Sequence, residues 1–188
     1  MAHNCFKGKL VMLRAQRPED VEILKKMDLD RNTDSDRCDD CIKLPRPAWK
    51  LEEGFKERLE RESEPENYRF MIDTLDGVTV GSINAHDVDF RMGTFSYGLG
   101  VYEEYRHHGY ASEAVILMMR YYFNELRMHK CNVAVYEFNE ASIGLHEHLG
   151  FVREGVVRET YYTDGRYCDD ILFGMTRDEF TERYGQIL

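Results

Sequence analysis

The sequence predicts an α/β (α+β) fold built on a mixed, mostly antiparallel central sheet of about seven strands with helices on both faces. Three observations carry that expectation. Short strand-like runs are joined by hairpin signals at Asp76-Gly77 and Thr163-Asp164-Gly165. A helix-like run that is apolar on most sides lies between two strands in the middle of the chain, a crossover that makes one strand pair parallel. Two amphipathic helical segments precede the first hairpin, so helices are available for either side of a sheet.

Taken in order, Lys9–Arg14 reads as the first strand. Pro18-Glu19-Asp20 opens a helix, with proline and acids in the first turn, and Val21, Leu24 and Met27 give it an apolar stripe. The stretch Asp28–Asp40 is polar. Its alternating Asp28, Asp30, Asn32, Asp34 and Asp36 imitate a calcium loop, but Thr33 stands where glycine is required and Asp39 where a bidentate glutamate is required. A solvated loop is the expected form. A second helix covers Ala48–Arg61, anchored by Trp49, Phe55 and Leu59, and "ESEPEN" breaks it. Strands are expected at Tyr68–Thr74, Val78–Asp87 and Thr94–Val101. Gly98 and Gly100 interrupt the third, marking a bulge or the close approach of a backbone or ligand.

Ala111–Leu126 is the apolar helix, suited to burial against a sheet. Lys130–Tyr136 alternates as a strand with Cys131, Val133 and Val135 on one face. A short helix at Glu140–His148 ends at Gly150, placed for a left-handed cap. Val152–Tyr162 and Arg166–Met175 form the last hairpin, and Asp178–Tyr184 reads as a terminal helix. No linker, repeat or low-complexity tract divides the chain, so residues 1–188 are expected to form a single domain.

The formal net charge of −10 argues against nucleic-acid and anionic-membrane partners and weakly favours a cationic one. No apolar run approaches a membrane span, and the N-terminus lacks the apolar centre of a secretory signal, which points to the cytoplasm. The five cysteines, Cys5, Cys38, Cys41, Cys131 and Cys168, are odd in number and irregular in spacing, so no disulfide framework is expected. Cys38-Asp-Asp-Cys41 is a lone C-x-x-C in a polar loop without further ligands, so no metal is expected.

The most informative segment is "YRHHGYASEA", which sets Arg106, Gly109 and Ala111 in the spacing R-x-x-G-x-A between a strand and a helix. A helix start exposes backbone N–H groups with no helical partner, and these, with the helix dipole, favour an anion such as a diphosphate. Gly109 lets backbone approach a phosphate closely, and Arg106 adds a planar fork of charged donors. Downstream, "NEASIGLHEHLGF" fits N-x-x-[AS]-x-x-L-x-x-x-x-G-F.

Together these two segments resemble the GNAT superfamily of acyl-CoA-dependent N-acetyltransferases, nearest the branch of ribosomal-protein N-terminal and spermidine acetyltransferases. The resemblance spans about Lys9 to Met175. It implies a GNAT-like fold, acetyl-CoA as acyl donor, and no metal. Arg106, His107, His108, Gly109, Tyr110, Ala111 and Ser112 would wrap the pyrophosphate. Backbone groups of Leu99, Gly100 and Val101 would pair with the pantetheine arm. Asn139 would hydrogen-bond the pantetheine, and Ser142 would lie beside it. Where the family usually has a tyrosine facing the cofactor sulfur, this chain has His146, whose imidazole titrates near ~6.5 and retains a charged, proton-donating fraction at neutral pH. Ser96 stands where the branch often carries a glutamate, leaving His86, Asp87 and Tyr97 as candidate bases.

The implied reaction is direct attack of a primary amine on the thioester. The acceptor would be a small cationic amine such as a polyamine, or a protein N-terminus. The alternative is a non-catalytic acyl-CoA-binding or interaction module with the same fold, motivated by the departures at His146 and Ser96. The oligomeric state is left open, with a homodimer as the candidate assembly.

Overall fold

A computed structural model describes residues 4–29, 33–38, 42, 44–60 and 64–185. Seven strands form one sheet in the order β1-β2-β3-β4-β5-β7-β6. They are β1 (Val11–Ala15), β2 (Arg69–Thr74), β3 (Thr79–Asp89), β4 (Thr94–Val101), β5 (Lys130–Tyr136), β6 (Val152–Thr163) and β7 (Arg166–Thr176). The helices are α1 (Val21–Leu29), α2 (Thr33–Arg37), α3 (Ala48–Glu60), α4 (Tyr110–Asn124), α5 (Glu140–Leu149) and α6 (Arg177–Tyr184). Every neighbouring pair is antiparallel except β4 and β5, which α4 joins as a crossover. β4 and β5 begin and end where the sequence pattern places them, and the other strands shift by one or two residues at their ends.

Two expectations need correction. The polar stretch is not loop throughout: Thr33–Arg37 makes a short helix, α2. The remainder of the calcium-like pattern, at Asp30, Asn32 and Asp39, lies outside the described residues, as does Cys41. Nor do Gly98 and Gly100 mark a bulge. The β3–β4 ladder runs unbroken from Gly81↔Val101 to His86↔Ser96, and its irregularity lies between His86 and Asp89.

The main core sits between the sheet and α4, with Val115, Met118, Met119, Tyr122 and Phe123 turned to Val11, Ile72, Ile83, Phe95 and Cys131. Phe180 of α6 closes it beside Phe123 at a ring separation of 5.3 Å. On the opposite face, α1 and α3 pack together, with Leu51 and Phe55 buried.

That second face carries a charged network. The Arg14 guanidinium donates to Asp20 at 2.8 Å and to Asp73 at 2.5 Å, and the three side chains are 10%, 6% and 6% exposed. Burial alone would raise the Asp20 carboxyl, yet the Arg14 guanidinium and the Arg17 N–H hold it below the usual carboxylate range. Breaking a buried pair strands its partner, so Arg14→Met is expected to cost about 3–5 kcal/mol in urea unfolding at neutral pH. A carboxyl depressed on folding stabilises above its unfolded value and loses that contribution as pH falls. The difference between wild type and Arg14→Met therefore narrows below about pH 4. A constant difference down to pH 2 would contradict the network.

Candidate active site

The sheet opens at its centre. β4 and β5 pair only at Thr94↔Lys130 and Phe95↔Cys131, and the Gly93 carbonyl accepts from the His129 and Lys130 N–H groups at 2.6 and 3.0 Å, tying the base of the fork. β5 instead pairs β7 along its whole length, and β4 pairs β3. Among the described residues, no strand therefore lies beside the edge of β4 that faces away from β3 from Ser96 to Val101. Backbone groups on an open edge are ready to pair with another extended chain. Leu99, Gly100 and Val101 lie on this edge, and Gly100 is exposed.

The edge leads directly to the R-x-x-G-x-A turn. A 3-10 turn (Glu103–Tyr105) precedes Arg106, whose Nε donates to the Val101 carbonyl at 3.2 Å. His107 and Gly109 both adopt left-handed backbone, with φ of 64° and 81°. Alternation of left-handed with ordinary residues folds successive N–H groups into a concave, anion-suited nest. The first α4 hydrogen bond runs from the Glu113 N–H to the Gly109 carbonyl at 3.1 Å, so the N–H groups of Tyr110, Ala111 and Ser112 have no partner within the helix. His108 donates from Nδ1 to the Arg106 carbonyl at 2.7 Å and stacks on Tyr110 at 5.5 Å. This nest and the open edge give a diphosphate and an amide-bearing arm the donors and acceptors they require, so the residues present fit acetyl-CoA.

Glu113 supports the turn from behind, and nothing local in the sequence signals it. Its carboxylate accepts from the N–H groups of Lys9, Leu10 and Val11 at 2.8, 2.7 and 2.7 Å. That contact seats Leu10 over Gly109, where an added Cβ would meet Leu10 Cδ1 at 3.3 Å.

α5 forms the other wall. Asn139 is its N-cap, with Oδ1 accepting from the Ser142 N–H at 3.1 Å, so the carboxamide NH2 is the part of Asn139 left to donate. One turn on, His146 is 3% exposed. Its Nδ1 lies 2.7 Å from the Ser142 carbonyl and its Nε2 2.8 Å from the Tyr97 hydroxyl. A carbonyl only accepts, so Nδ1 carries the proton, and Nε2 accepts from Tyr97. Burial pushes the imidazole below its ordinary value, and the hydrogen bond to Ser142 offsets this only in part. The expectation that His146 keeps a charged fraction at neutral pH is therefore corrected: the ring is neutral, packed against Phe173 and Phe151, with both nitrogens engaged. Tyr97, one of the sequence's candidate bases, is its partner, and burial holds that hydroxyl well above its usual range, so it is a donor rather than a base.

The face of the sheet away from α4 carries a cleft of about 240 Å³ at the base of the fork, lined by Ser96, Asn132, Val133, Ala134, Glu154, Leu172 and Phe173. His86 stands opposite Ser96 on β3, exposed and bonded through Nδ1 to Asp87 at 2.9 Å. A second cleft, of about 230 Å³, lies between α2 and the β6–β7 hairpin, where Arg37 pairs with Asp34 and Asp164.

Of the C-x-x-C, only Cys38 is among the described residues. Burial raises the Cys38 thiol, with Arg106 acting in the opposite direction. Among the described residues, no group of three or more His, Cys, Asp or Glu side chains could hold a metal ion, and no helix is long and apolar enough to cross a membrane.

Comparison with known proteins agrees with this geometry. The family profile of the acetyltransferase (GNAT) domain matches residues 11–152. The SPbeta prophage-derived uncharacterized N-acetyltransferase YokL of Bacillus subtilis is 41% identical over 187 residues, covering 98% of this chain and all of that protein. The spermidine N(1)-acetyltransferase of Vibrio cholerae is 24% identical over 119 residues, 63% of this chain and 67% of that one. Among solved structures, the spermidine N-acetyltransferase from Vibrio cholerae in complex with CoA and spermine superposes with a TM-score of 0.75 at 21% identity, covering 92% of this chain and 99% of that one. Another, described as a dodecameric structure of spermidine N-acetyltransferase from Vibrio cholerae, gives 0.73 at 19%, covering 94% and 99%. The family match and the 41% relative set aside a binding module without chemistry. A forked sheet, a phosphate-suited turn at the head of α4 and a profile match over most of the chain converge: this protein belongs to the GNAT family and is an N-acetyltransferase that uses acetyl-CoA.

Proposed function

We propose that this chain, acting as one domain in the cytoplasm, transfers an acetyl group from acetyl-CoA to a primary amine by direct attack. The observation that carries the reading is the continuous track from the fork base, along the open β4 edge, to the nest before α4. Arg106 to Ser112 hold the diphosphate. Leu99, Gly100 and Val101 pair with the pantetheine arm, and Asn139 and Ser142 border it. Acetyl-CoA supplies a thioester whose thiolate, from a thiol of pKa near ~8.5, leaves readily. A backbone N–H on the open β4 edge stabilises the oxyanion, and the fork aligns the two reactants.

His146 occupies the catalytic position in a positioning role. Fixed by Ser142, it accepts a hydrogen bond from the Tyr97 hydroxyl and so ties α5 to β4 beside the open edge. Proton donation to the thiolate need contribute little, because the leaving group is already good.

The acceptor is a small cationic amine such as a polyamine, or a protein N-terminus. The net charge of −10 and the spermidine acetyltransferases among the relatives support the first. Thiol release is the assay, run with acetyl-CoA over a panel of polyamines, monoamines and N-terminal peptides. At least one amine class is expected to give saturable turnover with stoichiometric acetylated product. No thiol release with any amine, from protein that binds CoA, would contradict the reading.

A further inference from the structure

We infer that Glu154 is the proton acceptor for the incoming amine; this rests on the amine-acetyltransferase reading above. An alkyl amine has a pKa near ~10 and reaches the enzyme as an ammonium, so attack needs a base. Ser96 cannot supply one, and His86 lies a strand further from the fork, tied to Asp87.

Three features bring a carboxylate to the fork from another strand. The β6–β7 register slips between Arg153↔Phe173 and Gly155↔Leu172, which makes Glu154 the extra residue of a β-bulge. Such bulges re-aim a side chain, and here Glu154 joins Ser96 and Asn132 in lining the cleft at the base of the fork. Gly174 on β7 leaves the space: a Cβ there would meet Glu154 Oε1 at 2.5 Å and Lys130 Cε at 2.8 Å. Lys130, at the first paired position of β5, then holds the carboxylate at 2.7 Å, fixing its place in the cleft.

The step balances simply. An N–H bond of the ammonium breaks and an O–H bond forms on Glu154. The freed nitrogen lone pair forms the C–N bond at the carbonyl carbon, the C–S bond breaks, and the departing thiolate takes the second amine proton to leave as the CoA thiol. The carboxylic acid returns its proton to solvent, which its side chain reaches at 38% exposure.

The test uses Glu154→Gln with two readouts. In turnover, kcat/KM for a strongly basic alkyl amine is expected to fall about 100-fold, while an acceptor already neutral at the assay pH loses less than about 3-fold. In calorimetry without acyl donor, the alkyl ammonium is expected to bind about 10-fold more weakly, because its carboxylate partner is gone. If the variant folds poorly, Glu154→Asp keeps the charge and is expected to lose rate on the basic amine alone. Equal losses on basic and neutral acceptors, or unchanged ammonium binding, would overturn the inference. Wild-type protein that acetylates no amine would overturn the functional reading instead, and the binding arm would still judge Glu154.

Discussion

Replacing His146 with phenylalanine is expected to lower kcat about 100-fold, by letting α5 and β4 shift and misplace the reactants, while CoA affinity stays within about 3-fold of wild type. Phenylalanine fills the space between Phe151 and Phe173 but accepts no hydrogen bond from Tyr97. The stranded Tyr97 hydroxyl costs about 1–3 kcal/mol of stability. Tyr97→Phe is expected to match the loss in kcat. The double variant should be little worse than either single one, since both remove the same hydrogen bond. His146→Gln can accept from Tyr97 and donate to the Ser142 carbonyl, so it is expected to recover part of kcat. Additive losses in the double variant, with no recovery by glutamine, would show that the two rings act separately.

The same residue has a pH signature. A histidine whose value is lowered on folding binds fewer protons folded than unfolded between the two values, so stability falls as pH drops below about 6.5. Asp20 acts in a separate, more acidic window, because its carboxyl is depressed from an already low value. Urea melts of wild type and His146→Phe between about pH 2 and pH 7 separate the contributions: the variant should lack the first decline and keep the second.

Gly109→Val is expected to weaken CoA binding about 100-fold, or ~2.7 kcal/mol. The backbone there is left-handed, which is costly for a β-branched residue, and the new Cβ would press on Leu10. Leu10 cannot simply retreat, because Glu113 holds the N–H groups on either side of it and its own. The turn must change shape, and the N–H groups of the nest lose their common direction. Arg106→Gln is expected to be milder, about 10-fold, and to reduce the dependence of binding on salt. Equal CoA affinity in Gly109→Val and wild type by calorimetry would place the diphosphate elsewhere.

Periodicity and turn chemistry reveal most of the architecture. β4 and β5 are legible from alternation, the hairpins from Asp76-Gly77 and Asp164-Gly165, and the α5 stop from Gly150 with its φ of 88°. The site was legible in outline through the turn before α4 and the motif on α5. What the sequence conceals is contact between distant positions. The Tyr97–His146 bond joins residues 49 apart, and the Glu113 clasp joins residues more than 100 apart. The protonation of His146 follows from burial, which no local pattern reports. Glu154 enters the cleft through a bulge that depends on pairing with β7, and the strand pattern of β6 alone does not announce it. α2 is hidden by a composition that also suits a loop.

Backbone amide mapping by NMR during a CoA titration tests the central claim most directly. Saturable shifts are expected along the open β4 edge at Leu99–Val101, through Arg106–Ser112, and at Asn139 and Ser142, with the β1–β2 ladder unmoved. Shifts confined to the α2–hairpin cleft or to β6, with the β4 edge and the α4 nest silent at saturation, would contradict it.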